Sequence, residues 1–253
     1  TFAMRKPRTN EFITTPKPSS DDKRSQPVSI LLLAENHGYR MKSYGPISLV
    51  VVDGKALIEH QIEAISSTFL NFEIIVCSGF ETSKIYNFIK KRFGRSVKIR
   101  IVENQIYFHS NCCESIRLSM NNVMTDNLII CGGGVLLTPQ YLKSIDLKKP
   151  SMLYQDPQPN SEFDVGVIEN GGKLENLSLA VDEKCWTELT YLTGHNLIQS
   201  FYNLISNPEY KNKFLFEAIN SWPNRKQIST KFNEHHPISK INNIKTLRRI
   251  NEE

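Results

Sequence analysis

No run of apolar residues in this 253-residue chain approaches the roughly 18 to 20 that a membrane-spanning helix needs. The longest, Val28 to Ala34, is strand-length and already contains Ser29. Nor is a signal peptide expected, because Arg5, Lys6 and Arg8 lead into polar, Pro-bearing sequence in place of an apolar core. The expectation is a soluble, cytoplasmic protein with no membrane partner. Cysteine is scarce and badly spaced for cross-linking: Cys77, Cys112, Cys113, Cys131 and Cys185 are five, an odd number, with no C-x-x-C pair. That argues against a disulfide framework and a zinc site and favours buried free thiols. The vicinal Cys112-Cys113 lacks a neighbouring base, so packing is its expected role. His235-His236 has no further ligands at metal-binding spacing, and no internal repeat is present.

What charge there is sits at the ends. Residues 1–27 carry a net +3 and residues 225–253 a net +4, against +5 for the whole chain, so the body is mildly acidic. Basic ends of this kind could meet a polyanion, but the tail has little of the aromatic interleaving that single-strand binders use, and nucleic-acid binding is not favoured. Residues 1–27, rich in Pro, Ser, Thr, Asp and Lys without periodicity, read as a flexible basic arm.

From Val28 the pattern changes. Val28 to Ala34, Glu73 to Cys77, Val97 to Val102 and Asn127 to Cys131 read as strands. Ala56 to Thr68, Ser83 to Phe93 and Cys113 to Val123 alternate with them at helical spacing. Ser48 to Val52 is a short apolar run. The alternation predicts a three-layer α/β/α sandwich on a mainly parallel mixed sheet. Beyond Pro139 the sequence predicts strands at Ser151 to Tyr154 and Phe163 to Ile168, with a hairpin turn at Glu169 to Gly172. Helices are expected at Gly194 to Ile205, Lys211 to Asn220 and Ile241 to Glu253. The body divides into a nucleotide-binding half, 28–139, and an acceptor or oligomerisation half, 140–253.

Ligands in such sheets bind beyond the carboxyl ends of the strands, which directs attention to the loop after Ala34. There, Leu31-Leu-Leu-Ala-Glu-Asn-His-Gly-Tyr-Arg-Met41 is followed by Pro46-Ile47 and Gly54-Lys-Ala-Leu-Ile-Glu-His60. This resembles the opening of sugar-phosphate nucleotidyltransferases and phosphocholine cytidylyltransferases, which reads L-A-A-G-x-G-x-R-M, then P-K-x-L, then G-K-P-L-I-E-H. The resemblance continues through Glu73 to Gly79, through Asn104, Asn111 and Ser115, and through Leu128 to Leu137. It ends with Phe216-Glu-Ala-Ile219 and Ile241-Asn-Asn-Ile244. It implies Ala34, Asn36, Gly38, Arg40, Asn111 and Ser115 around a nucleotide, with Arg40 and Glu217 as the catalytic candidates.

The same comparison exposes departures. The first loop glycine is Asn36, the lysine expected after Pro46 is Ile47, and the metal-binding aspartates expected after Gly132 and Ile241 are Gly133 and Asn242. Gly132-Gly-Gly134 is not followed by Lys-Ser/Thr and is not a phosphate loop of the P-loop kind. Nucleotidyl transfer works by positioning and by neutralising phosphate charge, so losing one such group costs on the order of 10²-fold or more. No metal ligands are assigned; Mg²⁺ and a nucleoside triphosphate would be needed only by an active enzyme. Glu35, Asp182 and Glu217 are the carboxylates available as substitutes. Three readings stay open. One is a diverged, inactive member, a pseudoenzyme, that binds a nucleotide, a protein partner or its own copy. The others are an active transferase with substitute ligands, and a basic-tailed structural or nucleic-acid-associated protein.

Overall fold

The computed structural model describes residues 24–38, 40–159, 164–181 and 183–252. Residues 1–23 of the expected arm, and Asp182, lie outside them. Residues 24–27 already belong to the body: the Arg24 amide donates to Thr68 O at 2.8 Å, and its guanidinium reaches Ile145 O at 2.7 Å.

Strand β1 (Val28–Ala34) is buried on both faces because every residue but Ser29 is apolar. Ser29 is matched by Glu73, which accepts its hydroxyl at 2.6 Å. Val28, Ile30, Leu32 and Ala34 face one core and Leu31 the opposite one, following the period of two that a strand imposes. The first core is closed by α1 (Leu57–Thr68), α2 (Thr82–Arg92) and α4 (Pro139–Ser144), through Ile58, Ile62, Ile65, Ile85, Ile89 and Leu142. The second is closed by α3 (Cys112–Met120), α5 (His195–Ile205) and α6 (Leu215–Ser221), through Ile116, Phe201 and Ile219. The layers are therefore helix, sheet, helix, as expected.

Besides a small ribbon of β2 (Val51–Val52) and β3 (Lys55–Ala56), the strands are β4 (Phe72–Ser78), β5 (Ile99–Glu103), β6 (Asn127–Gly132), β7 (Ser151–Gln155), β8 (Gly166–Asn170), β9 (Lys173–Ser178), β10 (Cys185–Thr193) and β11 (Ser229–Phe232). Among the described residues the main sheet has nine strands in the order β5-β4-β1-β6-β10-β7-β11-β9-β8. β5, β4, β1 and β6 are mutually parallel. β10 then runs antiparallel to both β6 and β7 and joins the two halves of the chain into one sheet.

The apolar run Ser48 to Val52 is divided between a 3₁₀ turn at Ile47–Leu49 and β2 at Val51–Val52. Two expectations shift. The helix expected over Lys211 to Asn220 starts only at Leu215, because the chain first makes a 3₁₀ turn at Pro208–Tyr210. The helix expected from Ile241 starts at Ile244, as α7 (Ile244–Glu252). α7 packs its Leu247 and Ile250 into a third cluster with Met41, Ile47, Val50, Val52, Leu57 and Ile241, tying the end of the chain to the loop after β1.

Candidate functional site

β1 and β6 are hydrogen-bonded in register, Leu33 opposite Gly132, so both end at one edge of the sheet. The turn that follows β6 is built for main chain alone. A Cβ on Gly133 would lie 1.9 Å from Leu33 O, and one on Gly134 2.5 Å from Ile241 O. Neither position accepts a side chain unless the backbone moves. The turn is held from both sides. The buried Gln61 amide of α1 donates to Val135 O at 2.9 Å, with Gly132 O and Gly133 O at 3.4 Å. Residues 238–243 lie over it as a strap, with Leu136 N to Ser239 O at 2.9 Å and Ile241 N to Gly134 O at 2.7 Å.

The loop after β1 is equally filled. Gly38 has φ +74°, the left-handed region, and a Cβ there would sit 2.8 Å from Ile47 Cδ1. Ile47, which stands where the resemblance expects a lysine, thus packs onto the loop glycine and is buried. His37 bonds Gly38 O through Nδ1 at 2.7 Å and sets its ring edge-on to Phe80, 5.2 Å away.

Between these strand ends, the strap, β10 and the start of α6 lies a cavity of about 480 Å³. Its apolar wall includes Leu33, Ile47, Val165, Leu179, Trp186, Phe214, Leu215, Phe216 and Ile241, and its ionisable lining is Glu35, Glu188 and Lys240. Glu35 is 4% exposed, and its Oε2 is buried without a hydrogen-bond partner. Burial pushes its carboxyl from 4.5 up to about 7. Lys240, 5% exposed, pairs with Asp164 at 2.6 Å and donates to Trp186 O at 3.0 Å, leaving Glu188 3.9 Å away. Glu188 sits at φ +58° where the register of β10 shifts against β7. A left-handed non-glycine residue costs on the order of 1–3 kcal/mol unless its surroundings hold it. Here the neighbouring glycine admits its carboxylate: a Cβ on Gly132 would lie 2.5 Å from Glu188 Oε2. Burial raises the Glu188 carboxyl above its ordinary range, with Asp164 adding to the rise and Lys240 opposing it.

Of the residues implied by the resemblance, Asn36, Gly38 and Asn111 line the cavity, together with Ile47, Gly133 and Asn242. Ala34, Arg40, Ser115 and Glu217 are not among its lining residues. Arg40 is exposed at φ +56°. Ser115 is buried and accepts from Asn104 Nδ2 at 3.0 Å, while Asn111 Oδ1 accepts from Cys112 N at 2.8 Å at the start of α3. The Asn104, Asn111 and Ser115 pattern therefore builds a helix start and a buried knot. Glu217 caps α6 by accepting from Phe214 N at 2.8 Å, and meets Lys213 at 3.4 Å. Cys112 also faces the cavity, but its thiol is held well above the ordinary range by its neighbour Cys113 and by burial.

Glu188, Asp164, Trp186 and Lys240 were not singled out from sequence. The one available signal was Glu188 itself, a carboxylate in an otherwise β-branched and aromatic run. The residues present do not fit the family's divalent metal. The place of one aspartate is occupied by main chain, the other is an amide, and the Lys240 ammonium stands 3.9 Å from the one carboxylate at the turn.

No protein-family model matches the chain, and no curated protein matches it in sequence. Solved structures do match in fold. The inositol-1-phosphate CTP transferase from T. maritima superposes with a TM-score of 0.72 at 17% identity, over 91% of this chain and 95% of that one. CTP:phosphocholine cytidylyltransferase from Streptococcus pneumoniae gives 0.71 at 17% identity, over 89% and 98%. The nucleoside-diphosphate-sugar pyrophosphorylase from Vibrio cholerae RC9 gives 0.66 at 12%, over 89% and 100%.

Proposed function

We propose that this chain, which has the nucleotidyltransferase fold, does not carry out metal-dependent nucleotidyl transfer and works by binding a small organic ligand in the cavity at the strand ends. The observation that carries this reading is the Gly133 turn. The metal carboxylate of the family pattern is not simply shortened to a glycine, since Leu33 O stands 1.9 Å from where its Cβ would begin. Ile47 packed on Gly38 removes the matching ammonium, and Lys240 is already neutralised by Asp164. Among the described residues that line the cavity, a triphosphate would meet no cation but the paired Lys240 to offset its charge, and each missing group of that kind costs roughly 3 kcal/mol of transition-state stabilisation. Titrating the full chain with each nucleoside triphosphate and Mg²⁺, then assaying pyrophosphate release over phosphorylated alcohols and sugars, tests the reading. No release above the protein-free control is expected, and turnover with any pair would overturn it.

One observation favours the active alternative. Glu188 brings a carboxylate from β10 to the turn beside Gly132, near the place the pattern gives to an aspartate. The nearby Lys240 weighs against a dication there. Mg²⁺-dependent triphosphate binding lost in Glu188→Gln would reverse the order of the two readings.

A further inference from the structure

Among the described residues Lys240 is the one cation lining the cavity, and it is spent. It contacts Asp164 at 2.6 Å and Trp186 O at 3.0 Å, which leaves Glu188 at 3.9 Å, beyond hydrogen-bond reach. Asp164 and Glu188 thus share one ammonium, and Glu35, also on the cavity lining, pairs with no cation among the described residues. Acceptors are in surplus. Glu35 Oε2 and Asp164 Oδ2 are buried without hydrogen-bond partners, while the Glu188 side chain, about a third exposed, meets Lys240 only at 3.9 Å. An unpaired buried acceptor costs on the order of 1–3 kcal/mol, and natural structures seldom keep several at one place. Glu188 is moreover held there against its backbone preference, at φ +58°.

We propose that the cavity takes an organic cation whose nitrogen carries protons, a primary amine or a guanidinium, on an apolar or aromatic body. The N–H groups would answer the carboxyl oxygens of Glu35 and Glu188, and the positive charge would balance the acidic excess. The body would lie against Trp186 and the stacked pair Phe214 and Phe216, whose rings are 5.9 Å apart. An anion is disfavoured because Lys240 is already paired. A quaternary ammonium has the charge but no proton for the unpartnered oxygens. The inference rests on the reading of this cavity as a ligand site, not on the loss of transferase activity, so pyrophosphate release would leave it standing.

Calorimetric titration of the full chain with tryptamine and with agmatine tests it, with tryptophol, the hydroxyl counterpart of tryptamine, as the neutral control. The expected result is binding of at least one amine, with tryptophol at least tenfold weaker than tryptamine. Glu188→Gln should weaken amine binding tenfold or more by removing a carboxylate charge, and Glu35→Gln less, since its buried carboxyl, raised to about 7, carries only part of its charge at neutral pH. A thermal melt matching the parent establishes that the Glu188→Gln variant is folded. The proposal is overturned if neither amine binds at millimolar concentration, if tryptophol binds as well as tryptamine, or if Glu188→Gln leaves amine affinity unchanged.

Discussion

Glu35 lies at the end of β1, where the chain leaves the sheet, and it is withdrawn from solvent with one oxygen unanswered. Its carboxyl, raised from 4.5 to about 7, makes stability depend on pH with a definite sign. Below pH 4.5 folded and unfolded chains both hold the proton. Between 4.5 and about 7 the unfolded chain releases it while the folded chain keeps it, so stability falls as pH rises through this window and levels off above 7. The full change is on the order of 3 kcal/mol. Glu35→Gln should flatten that slope, raising stability at pH 8 relative to the parent and leaving it unchanged at pH 4, as read by denaturant melts across pH. Gly133 gives the opposite kind of prediction. Gly133→Ala should lose about 3 kcal/mol or more, because the atom it meets is main-chain oxygen at 1.9 Å. Gly133→Asp should do no better, losing stability without acquiring Mg²⁺ affinity, which melts with and without the metal check. The sequence shows that an aspartate of the family pattern is missing at 133. It does not show that the room for one has closed, since that depends on the main chain of Leu33, far from Gly133 in sequence and brought beside it only by the sheet.

At the scale of elements, the strap and α7 fasten the cavity. Asn251 accepts from Asp53 N and donates to Val51 O, both at 3.2 Å, while Leu247 and Ile250 enter the cluster around Met41 and Leu57. Leu247→Ala should cost about 2–3 kcal/mol, toward the low end for a buried leucine because the cluster is small. Hydrogen exchange at residues 41–52 should then quicken more than in β1 or β6. Lys240→Met should cost more, about 3–5 kcal/mol, by leaving Asp164 buried and unpaired, and the added Asp164→Asn should recover part of the loss. The elements themselves were unevenly legible. β1, β4 and β6 are apolar runs with polar residues only near their ends, at Ser29, at Glu73 and Ser78, and at Asn127, and their pattern admits little else. β10 was missed although it is the longest strand of the sheet, because Thr187, Glu188 and Thr190 interrupt its apolar character. Thr187 is satisfied at depth by Leu153 O at 2.9 Å and the Tyr141 hydroxyl at 2.5 Å, partners that no local pattern reveals.

For the molecule as a whole, the layered sandwich followed from alternating strands and helices, and the likeness to solved nucleotidyltransferase-fold structures extends over most of the chain. The candidate site was legible only in part. Asn36, Gly38 and Asn111, named from the resemblance, line the cavity, whereas Glu188, Asp164 and Lys240 come from the less patterned second half. That half is not a separate leaf. β10 is bonded to β6 on one side and to β7 on the other, so a single sheet passes through both halves without a gap. A sheet so joined has no hinge line along which the molecule could shut like a clamshell on what it binds. Binding should then leave the outline of the molecule unchanged, and small-angle scattering should give the same radius of gyration with the cavity empty or filled.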